Sequence, residues 1–233
     1  MILLSVIAPA HNEEELIKKF IKDVDSGLRI LKINYEILIC ENGSRDKTFK
    51  IASDLSKKVK SIRVFHENKP SYGGGLKLGI QKAKAEKIIV FNIDFYDFNF
   101  VKEAFLLLDQ FDFVIGSKNL PKSKDLRPFK RRLITKTFNF LLKIVFGFSG
   151  TDTHGIKALK KSLAIPIIAQ CRTDGEIFDT ELVLRAQKAG LKMTEIPVKV
   201  GELRPSRYTL LSRIPKTFFD LISLSKALRP NGI

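Results

Sequence analysis

The sequence has few cysteines and no long uninterrupted apolar run. Its 233 residues include two cysteines, Cys40 and Cys171, which are too few for a disulfide framework and favour a reducing, cytoplasmic compartment. The longest mostly apolar stretch, 133–148, is interrupted by two lysines and an asparagine, so it falls short of the roughly 18 apolar residues that a membrane-spanning helix needs. No basic segment precedes the apolar residues 1–10, so a signal peptide is not expected.

Acidic residues are scarce relative to basic ones. The 41 lysines and arginines exceed the 25 aspartates and glutamates, which gives a net charge of +16 at pH 7. Such a balance indicates an anionic partner, for example a phosphate-bearing substrate or an anionic membrane surface. Nucleic acid is not expected as a partner, because no recognition motif for it accompanies the charge. A solvated lysine-rich surface would explain many of the scattered charges equally well.

The first half of the chain alternates between two hydrophobic periods. Short apolar runs rich in β-branched residues predict buried strands, and the segments between them carry apolar residues at helical spacing. This alternation is typical of βαβ units, so we expect an α/β fold with a mostly parallel central sheet and flanking helices. The predicted strands cover residues 3–8, 35–40, 62–65, 87–93 and 113–115.

The second half has a basic segment followed by amphipathic helices. Residues 118–132 are crowded with lysine and arginine and predict a mobile loop that enters a helix. Helices are predicted at 133–148, 178–188 and 213–228, with a strand at 193–200. The first and last helices would lie in the membrane headgroup region through an apolar side, unless that side packs on the core. For the first, the predicted apolar side consists of Leu133, Phe138, Leu141, Leu142, Val145 and Phe148.

Polar motifs follow the predicted strands, where the ligand of a parallel sheet usually lies. Asp94 ends the fourth strand, and a carboxylate there can bind a divalent cation on a diphosphate, although such an aspartate is often only a helix cap. A run of glycines at 73–75 precedes a helix, where it would either bind phosphate or form a flexible turn. His66 and His154 stand alone in the sequence and are interpreted as structural.

In combination, the motifs resemble those of glycosyltransferase family 2. Residues 9–14 (PAHNEE) are similar to the family's Pro-x-Tyr-Asn-Glu opening, and residues 36–48 are similar to its acidic pair followed by Gly-Ser-x-Asp-x-Thr. Residues 72–79 resemble its glycine-rich helix start, and residues 92–94 (NID) stand where the family has Asp-x-Asp. Later segments are most similar to dolichol-phosphate mannose synthases and related polyprenyl-phosphate sugar synthases: 115–118, 131–135, 152–158, 178–182 and 195–197.

This resemblance implies a GT-A, Rossmann-like fold with a C-terminal helical extension. Residues 1–210 would form the catalytic domain, with a nucleotide-sugar-binding half at 1–116 and an acceptor half at 117–210, and 211–233 would form an amphipathic helix. The implied reaction is an inverting transfer of a hexose, mannose or glucose, from a GDP- or UDP-sugar to a polyprenyl or dolichyl phosphate. The protein would act peripherally, on the cytoplasmic, inner face of the membrane.

The resemblance also implies roles for individual residues. The set that would bind the nucleotide comprises Pro9, His11, Glu13, Glu41, Asn42 and Gly74, covered by Arg204 and Arg207 of a closing C-terminal segment. The pair that would bind Mg²⁺ or Mn²⁺ on the diphosphate comprises Asp94 and Asn92. The set that would receive the acceptor phosphate comprises Lys118, Arg131 and Thr135, with Glu181 on the helix that borders the acceptor.

The chain departs from the family pattern at the acidic positions. The acidic pair is Glu41-Asn42, and Asn92 replaces the first aspartate of the metal motif, which should lower metal affinity because asparagine adds no charge. A phosphate acceptor is already anionic and demands no strong general base, whereas a glycan hydroxyl acceptor would need Asp179 or Glu181 as base. A catalytically silent nucleotide-sugar-binding homologue is a further alternative.

Overall fold

Nine strands lie within residues 1–201 and 210–229, which the computed structural model describes, with the backbone alone at 210–218. They are β1 (Leu4–Ala10), β2 (Tyr35–Asn42), β3 (Ile62–Glu67), β4 (Lys87–Val90), β5 (Phe113–Ser117), β6 (Lys124–Asp125), β7 (Lys157–Lys160), β8 (Met193–Pro197) and β9 (Lys199–Val200). Seven form one sheet in the order β3-β2-β1-β4-β7-β5-β8, and β6 pairs with β9. Only β7 runs antiparallel to its neighbours in the large sheet, so the sheet is mostly parallel, as predicted.

Helices cover both faces of the sheet. In the described residues they are α1 (Ile17–Ile30), α2 (Thr48–Ser56), α3 (Tyr72–Lys82), α4 (Phe98–Leu107), α5 (Phe129–Phe146), α6 (Lys161–Gln170), α7 (Phe178–Lys188) and α8 (Leu210–Leu228). Successive strand residues belong to different hydrophobic clusters, because their side chains point to opposite faces. Val6 joins the cluster of α1, α2 and α4, whereas Ile7 joins the cluster that contains residues of α3, α6 and α7.

The predicted fourth strand, 87–93, is three residues shorter in the structure and ends at Val90. After it the chain makes a tight turn, in which the backbone N–H of Asn92 donates to the carbonyl of Phe95 at 3.2 Å and the reverse hydrogen bond measures 3.1 Å. The turn carries Asn92 and Asp94 beyond the carboxyl end of β4.

The basic segment 118–132 is more regular than the predicted mobile loop. It contains β6, and α5 begins at Phe129 directly after Pro128, whose carbonyl accepts from the Arg131 N–H at 2.9 Å. The sequence also gave no sign of β7 or α6. Helix α6 contains Pro166 and has no clear polar side, so the helical period was absent from its sequence.

The C-terminal helix α8 packs against α7, so the predicted helical extension is present. Leu224 is buried, and Arg185 Nη2 donates to the carbonyl of Ala227 at 2.7 Å. No helix in the described parts of the chain is both long enough and apolar enough to cross a membrane.

Candidate active site

A cavity of about 660 Å³ opens beyond the carboxyl ends of β1, β2 and β4. Its lining includes two groups of residues that come from different parts of the chain. The first, the strand-end side, consists of Pro9, His11, Glu13, Asn42, Asn92 and Asp94. The second, the cationic side, consists of Lys118, Arg127, Arg131 and Thr135. The cavity therefore collects residues from both halves of the chain.

Hydrogen bonds between β1 and β2 organise the strand-end side. His11 Nδ1–H donates to the carbonyl of Asn42 at 2.7 Å, which orients the imidazole at the cavity wall. Asn42 Nδ2 donates to the carbonyl of Ser71 at 2.8 Å, while its buried Oδ1 has no hydrogen-bond partner among the described residues. An unsatisfied acceptor in a cavity wall suits a ligand that brings an N–H or O–H group.

Two residues expected near the nucleotide lie behind the cavity wall. Glu41 is fully buried, where its carboxylate accepts from the Ser44 N–H and contacts His66 Nδ1. The hydrogen bond that His66 donates to the Glu41 carboxylate raises the pKa of His66. The backbone N–H of Gly74 donates to Ser71 Oγ at 2.7 Å and so belongs to the cap of α3. Glu41 and Gly74 thus support the wall rather than line it.

Asn92 and Asp94 both line the cavity, at the turn after β4. The described residues contain no group of three or more His, Cys, Asp and Glu side chains able to hold a metal ion. Mg²⁺ is commonly bound through one or two protein oxygens and substrate phosphates, and keeps several waters. The amide and carboxylate oxygens here therefore fit a divalent cation that arrives with a diphosphate, and do not form a complete metal site by themselves.

The cationic side is held by one buried ion pair and one partly buried ion pair. Lys118 Nζ lies 2.8 Å from Asp152 Oδ2, and burial lowers the pKa of Lys118 while the Asp152 charge opposes that shift. Arg127 forms a two-pronged contact with Asp125, at 2.9 Å from Nε and 2.7 Å from Nη2. Arg127 was not among the predicted site residues, although it lies in the basic segment whose charge was noted.

Arg131 and Thr135 lie one turn apart in α5, which begins four residues before the predicted helix, and both line the cavity. Thr135 Oγ1 donates to the carbonyl of Arg131 at 3.0 Å and lies 3.5 Å from Arg127 Nη2. These contacts bring a hydroxyl and two guanidinium groups to the same side of the cavity. Planar guanidinium groups are well suited to binding phosphate oxygens in pairs.

A third group of residues, at or next to the cavity, was not predicted from the sequence to belong to one site. Asp179 Oδ2 lies 2.9 Å from Lys157 Nζ and accepts from the Tyr72 hydroxyl at 3.1 Å. His154, interpreted from the sequence as structural, also lines the cavity, and burial lowers its pKa. From its place in the sequence, Asp179 is expected only as an alternative base for a hydroxyl acceptor.

Glu181 does not line the cavity. It is fully buried and accepts hydrogen bonds from the backbone N–H groups of Arg172 and Thr173, at 3.0 and 2.7 Å, and from Arg185 Nε at 2.7 Å. Residues two apart on a helix do not share a face, so α7 turns Asp179 to the cavity and Glu181 away from it. Glu181 thus anchors the segment before α7. Arg204 and Arg207 lie outside the described residues.

An α/β sheet with a polar cavity at its strand ends is typical of nucleotide-binding enzymes. Residues 5–164 match the family model of Glycosyl transferase family 2, and the chain therefore belongs to that family and is a glycosyltransferase. This confirms the resemblance seen in its motifs.

Relatives and a solved structure agree with this assignment. The chain is 31% identical over 229 residues to the uncharacterized protein MJ1222 of Methanocaldococcus jannaschii, covering 93% of this chain and 90% of that protein. It is 27% identical over 242 residues to a dolichyl-phosphate beta-glucosyltransferase of Dictyostelium discoideum, covering 96% of this chain and 74% of that protein. Glucosyl-3-phosphoglycerate synthase from Mycobacterium tuberculosis, solved with Mn²⁺, UDP and phosphoglyceric acid, has a TM-score of 0.68 at 18% identity, over 99% and 80% of the chains. That likeness confirms the predicted GT-A fold.

Proposed function

We propose that the protein transfers a hexose, glucose or mannose, with inversion from a UDP- or GDP-sugar to a polyprenyl or dolichyl phosphate. The observation that carries this proposal is the cationic side: Lys118, Arg127 and Arg131 line the same cavity as the strand-end residues. A donor diphosphate and an acceptor phosphate are both anionic, and two separate sets of binding groups are available for them. The similarity to a dolichyl-phosphate beta-glucosyltransferase supports this acceptor class.

In this proposal the strand-end side binds the donor. Asn42 Oδ1 offers an acceptor to the nucleoside, and Asp94 with Asn92 would hold Mg²⁺ or Mn²⁺ against the diphosphate. When bound, the cation neutralises charge that develops on the leaving diphosphate. The solved neighbour that binds Mn²⁺ together with UDP supports a divalent cation.

The cationic side would bind and orient the acceptor phosphate. Arg131 supplies a guanidinium and Thr135 a hydroxyl, while the ion pair with Asp152 holds Lys118 in place. Phosphate oxygens are already anionic, so the attacking oxygen gives up no proton. The residues therefore contribute by position and charge rather than by proton transfer.

Exposed apolar residues on α5 support a membrane location for this reaction. Phe129, Leu133, Phe140 and Ile144 are 68%, 53%, 60% and 66% exposed, and their spacing puts them along one side of the helix. The predicted apolar side was only partly right, because Leu142 and Phe148 are buried in the core. We propose that the exposed side rests on the inner face of the membrane, where it would guide a lipid to Arg131 and Thr135.

The test is transfer of radiolabelled sugar from UDP-glucose or GDP-mannose, with polyprenyl phosphate in detergent or vesicles as acceptor. The proposal expects label in the organic phase, dependent on a divalent cation. Label found only on a soluble glycan would indicate a hydroxyl acceptor. Nucleotide-sugar binding without any transfer would indicate a catalytically silent homologue, and either result would overturn the proposal.

A further inference from the structure

Asp179 has one buried carboxylate oxygen that no described residue satisfies. The residue is 4% exposed and lines the cavity. Its Oδ2 is engaged by Lys157 and Tyr72, whereas its Oδ1 has no hydrogen-bond partner among the described residues. Leaving an oxygen of a buried charged group unpaired is costly, so such an atom at a cavity wall calls for a partner that arrives with a ligand.

The contacts of Oδ2 hold the carboxylate in one orientation. Lys157 is 1% exposed, and its Nζ is itself held by the carbonyl of Gly155 at 2.7 Å. Burial, and then the charge of Asp179, raise the pKa of Tyr72, so its hydroxyl keeps its proton and remains a donor. Because both donors bind Oδ2, the unpaired Oδ1 is presented in a defined direction.

Asp179 is connected through Tyr72 to the expected diphosphate site. The Tyr72 hydroxyl that binds Asp179 also lies 3.4 Å from Asn92 Oδ1, next to the expected diphosphate site. His154 lines the same cavity, as does Lys118 of the cationic side. The sugar that is transferred must lie between the diphosphate and the acceptor phosphate. Asp179 is linked to Asn92 through Tyr72, and its charge acts on His154, as does the charge of Lys118 on the cationic side.

The chemistry of Oδ1 narrows the choice of ligand group. A carboxylate oxygen accepts hydrogen bonds, and phosphate groups ionised at neutral pH offer it few donors and repel its charge. A sugar hydroxyl is a donor. We infer that Asp179 binds a hydroxyl of the transferred sugar through Oδ1 and thereby helps to select the sugar. This inference rests on the proposed function, because it assumes a nucleotide-sugar donor.

Calorimetry without any acceptor tests the inference on the full chain. UDP, UDP-glucose, GDP and GDP-mannose are titrated in Mn²⁺ into wild type and Asp179→Ala. The comparison uses the nucleotides whose nucleobase, uracil or guanine, the wild type binds. For these, the variant should keep its affinity for the nucleoside diphosphate, and its affinity for the nucleotide sugar should fall about tenfold or more. A deoxy analogue of that donor lacking the contacted hydroxyl should bind both proteins equally.

Two further variants complete the experiment. Asp179→Ala leaves the Lys157 ammonium buried without its partner, which can make the single variant unstable. The double variant Asp179→Ala with Lys157→Met is therefore measured as well. It should also keep its nucleoside diphosphate affinity and lose nucleotide-sugar affinity. Asp112→Ala is the matched control, since Asp112 pairs with Lys160 at 2.9 Å outside the cavity. It should leave both affinities unchanged.

The remaining outcomes overturn the inference in distinguishable ways. A parallel loss of UDP and UDP-glucose affinity would make Asp179 a structural residue or a ligand of the cation. Unchanged nucleotide-sugar affinity with lost turnover would make it a general base. Wild type that binds none of the four probes would overturn the proposed function, and the inference with it.

Discussion

The strand-end side and the cationic side of the cavity are built in different ways. Pro9, Asn42 and Asp94 lie at or just beyond the ends of neighbouring strands, so the order of the sheet brings them together. Lys118 and Arg131 come from a loop and a helix, and ion pairs such as Lys118–Asp152 hold that side in place. The first side depends on the backbone of the sheet, and the second depends on side-chain contacts between distant segments.

The largest expected effect concerns Asp94. Asp94→Ala should weaken nucleoside diphosphate binding in the presence of Mn²⁺ by about a hundredfold or more, because Asn92 alone supplies no charge to the cation. Calorimetry with UDP and GDP, with and without Mn²⁺, measures this. Asp97→Ala is the matched control: Asp97 caps α4 by accepting from the Asn99 N–H at 2.9 Å, so its loss should cost about 1 kcal/mol of stability and leave nucleotide affinity intact. Equal nucleotide affinity in Asp94→Ala and wild type would contradict the cation assignment.

The next effect tests the cationic side separately. Arg131→Ala should reduce transfer to polyprenyl phosphate by about ten- to a hundredfold while nucleotide affinity stays unchanged. Arg131→Lys should also be impaired, because an ammonium cannot make the paired contact of a guanidinium. Lys143→Ala, an exposed cation further along α5, serves as the control. If Arg131→Ala transfers sugar to lipid at the wild-type rate, Arg131 of the cationic side does not bind the acceptor phosphate.

A third prediction concerns the exposed side of α5. Phe140→Glu should weaken binding to anionic vesicles about tenfold, since it removes a large apolar group and adds a repelled charge. Leu106→Glu, at a 62% exposed position on α4, should bind vesicles like wild type. Vesicle sedimentation at low and high salt provides the measurement. Unchanged binding in Phe140→Glu would show that α5 is not the contact surface, and an equal loss in Leu106→Glu would show that the effect is not specific to α5.

The smallest effect compares two histidines. The folded pKa of His66 is raised by Glu41, so its stabilising contribution is full below the unfolded value near 6.5 and disappears as the pH rises through the raised folded pKa. His154 behaves oppositely: burial lowers its folded pKa, so stability is lost as the pH falls below about 6.5. Melting temperatures are measured from pH 5 to 8.5. His66→Gln should lose the stabilisation that His66 provides at low pH, and His154→Gln should lose the destabilisation that His154 causes at low pH. The same pH response in both variants would refute this contrast.

The sequence and the structure agree on where the strand-end residues lie. The strand ends carry recognisable motifs, so Pro9, His11, Asn42 and Asp94 were expected in one site and do line one cavity. Prediction from the sequence was less successful for Glu181, whose motif gave the helix but not the direction of its side chain. Asp179 and Glu181 are two positions apart in α7, yet Asp179 lines the cavity and Glu181 anchors the preceding segment.

The sequence by itself determined the family, the α/β alternation and the strand-end motifs, because these depend on residue order and on periods of two and 3.6 residues. Only the tertiary structure decided which side of α5 packs on the core and which oxygen of Asp179 is left unpaired. It also brought Lys157 of β7 against Asp179 of α7. These features depend on contacts between residues far apart in the chain, which no local pattern records.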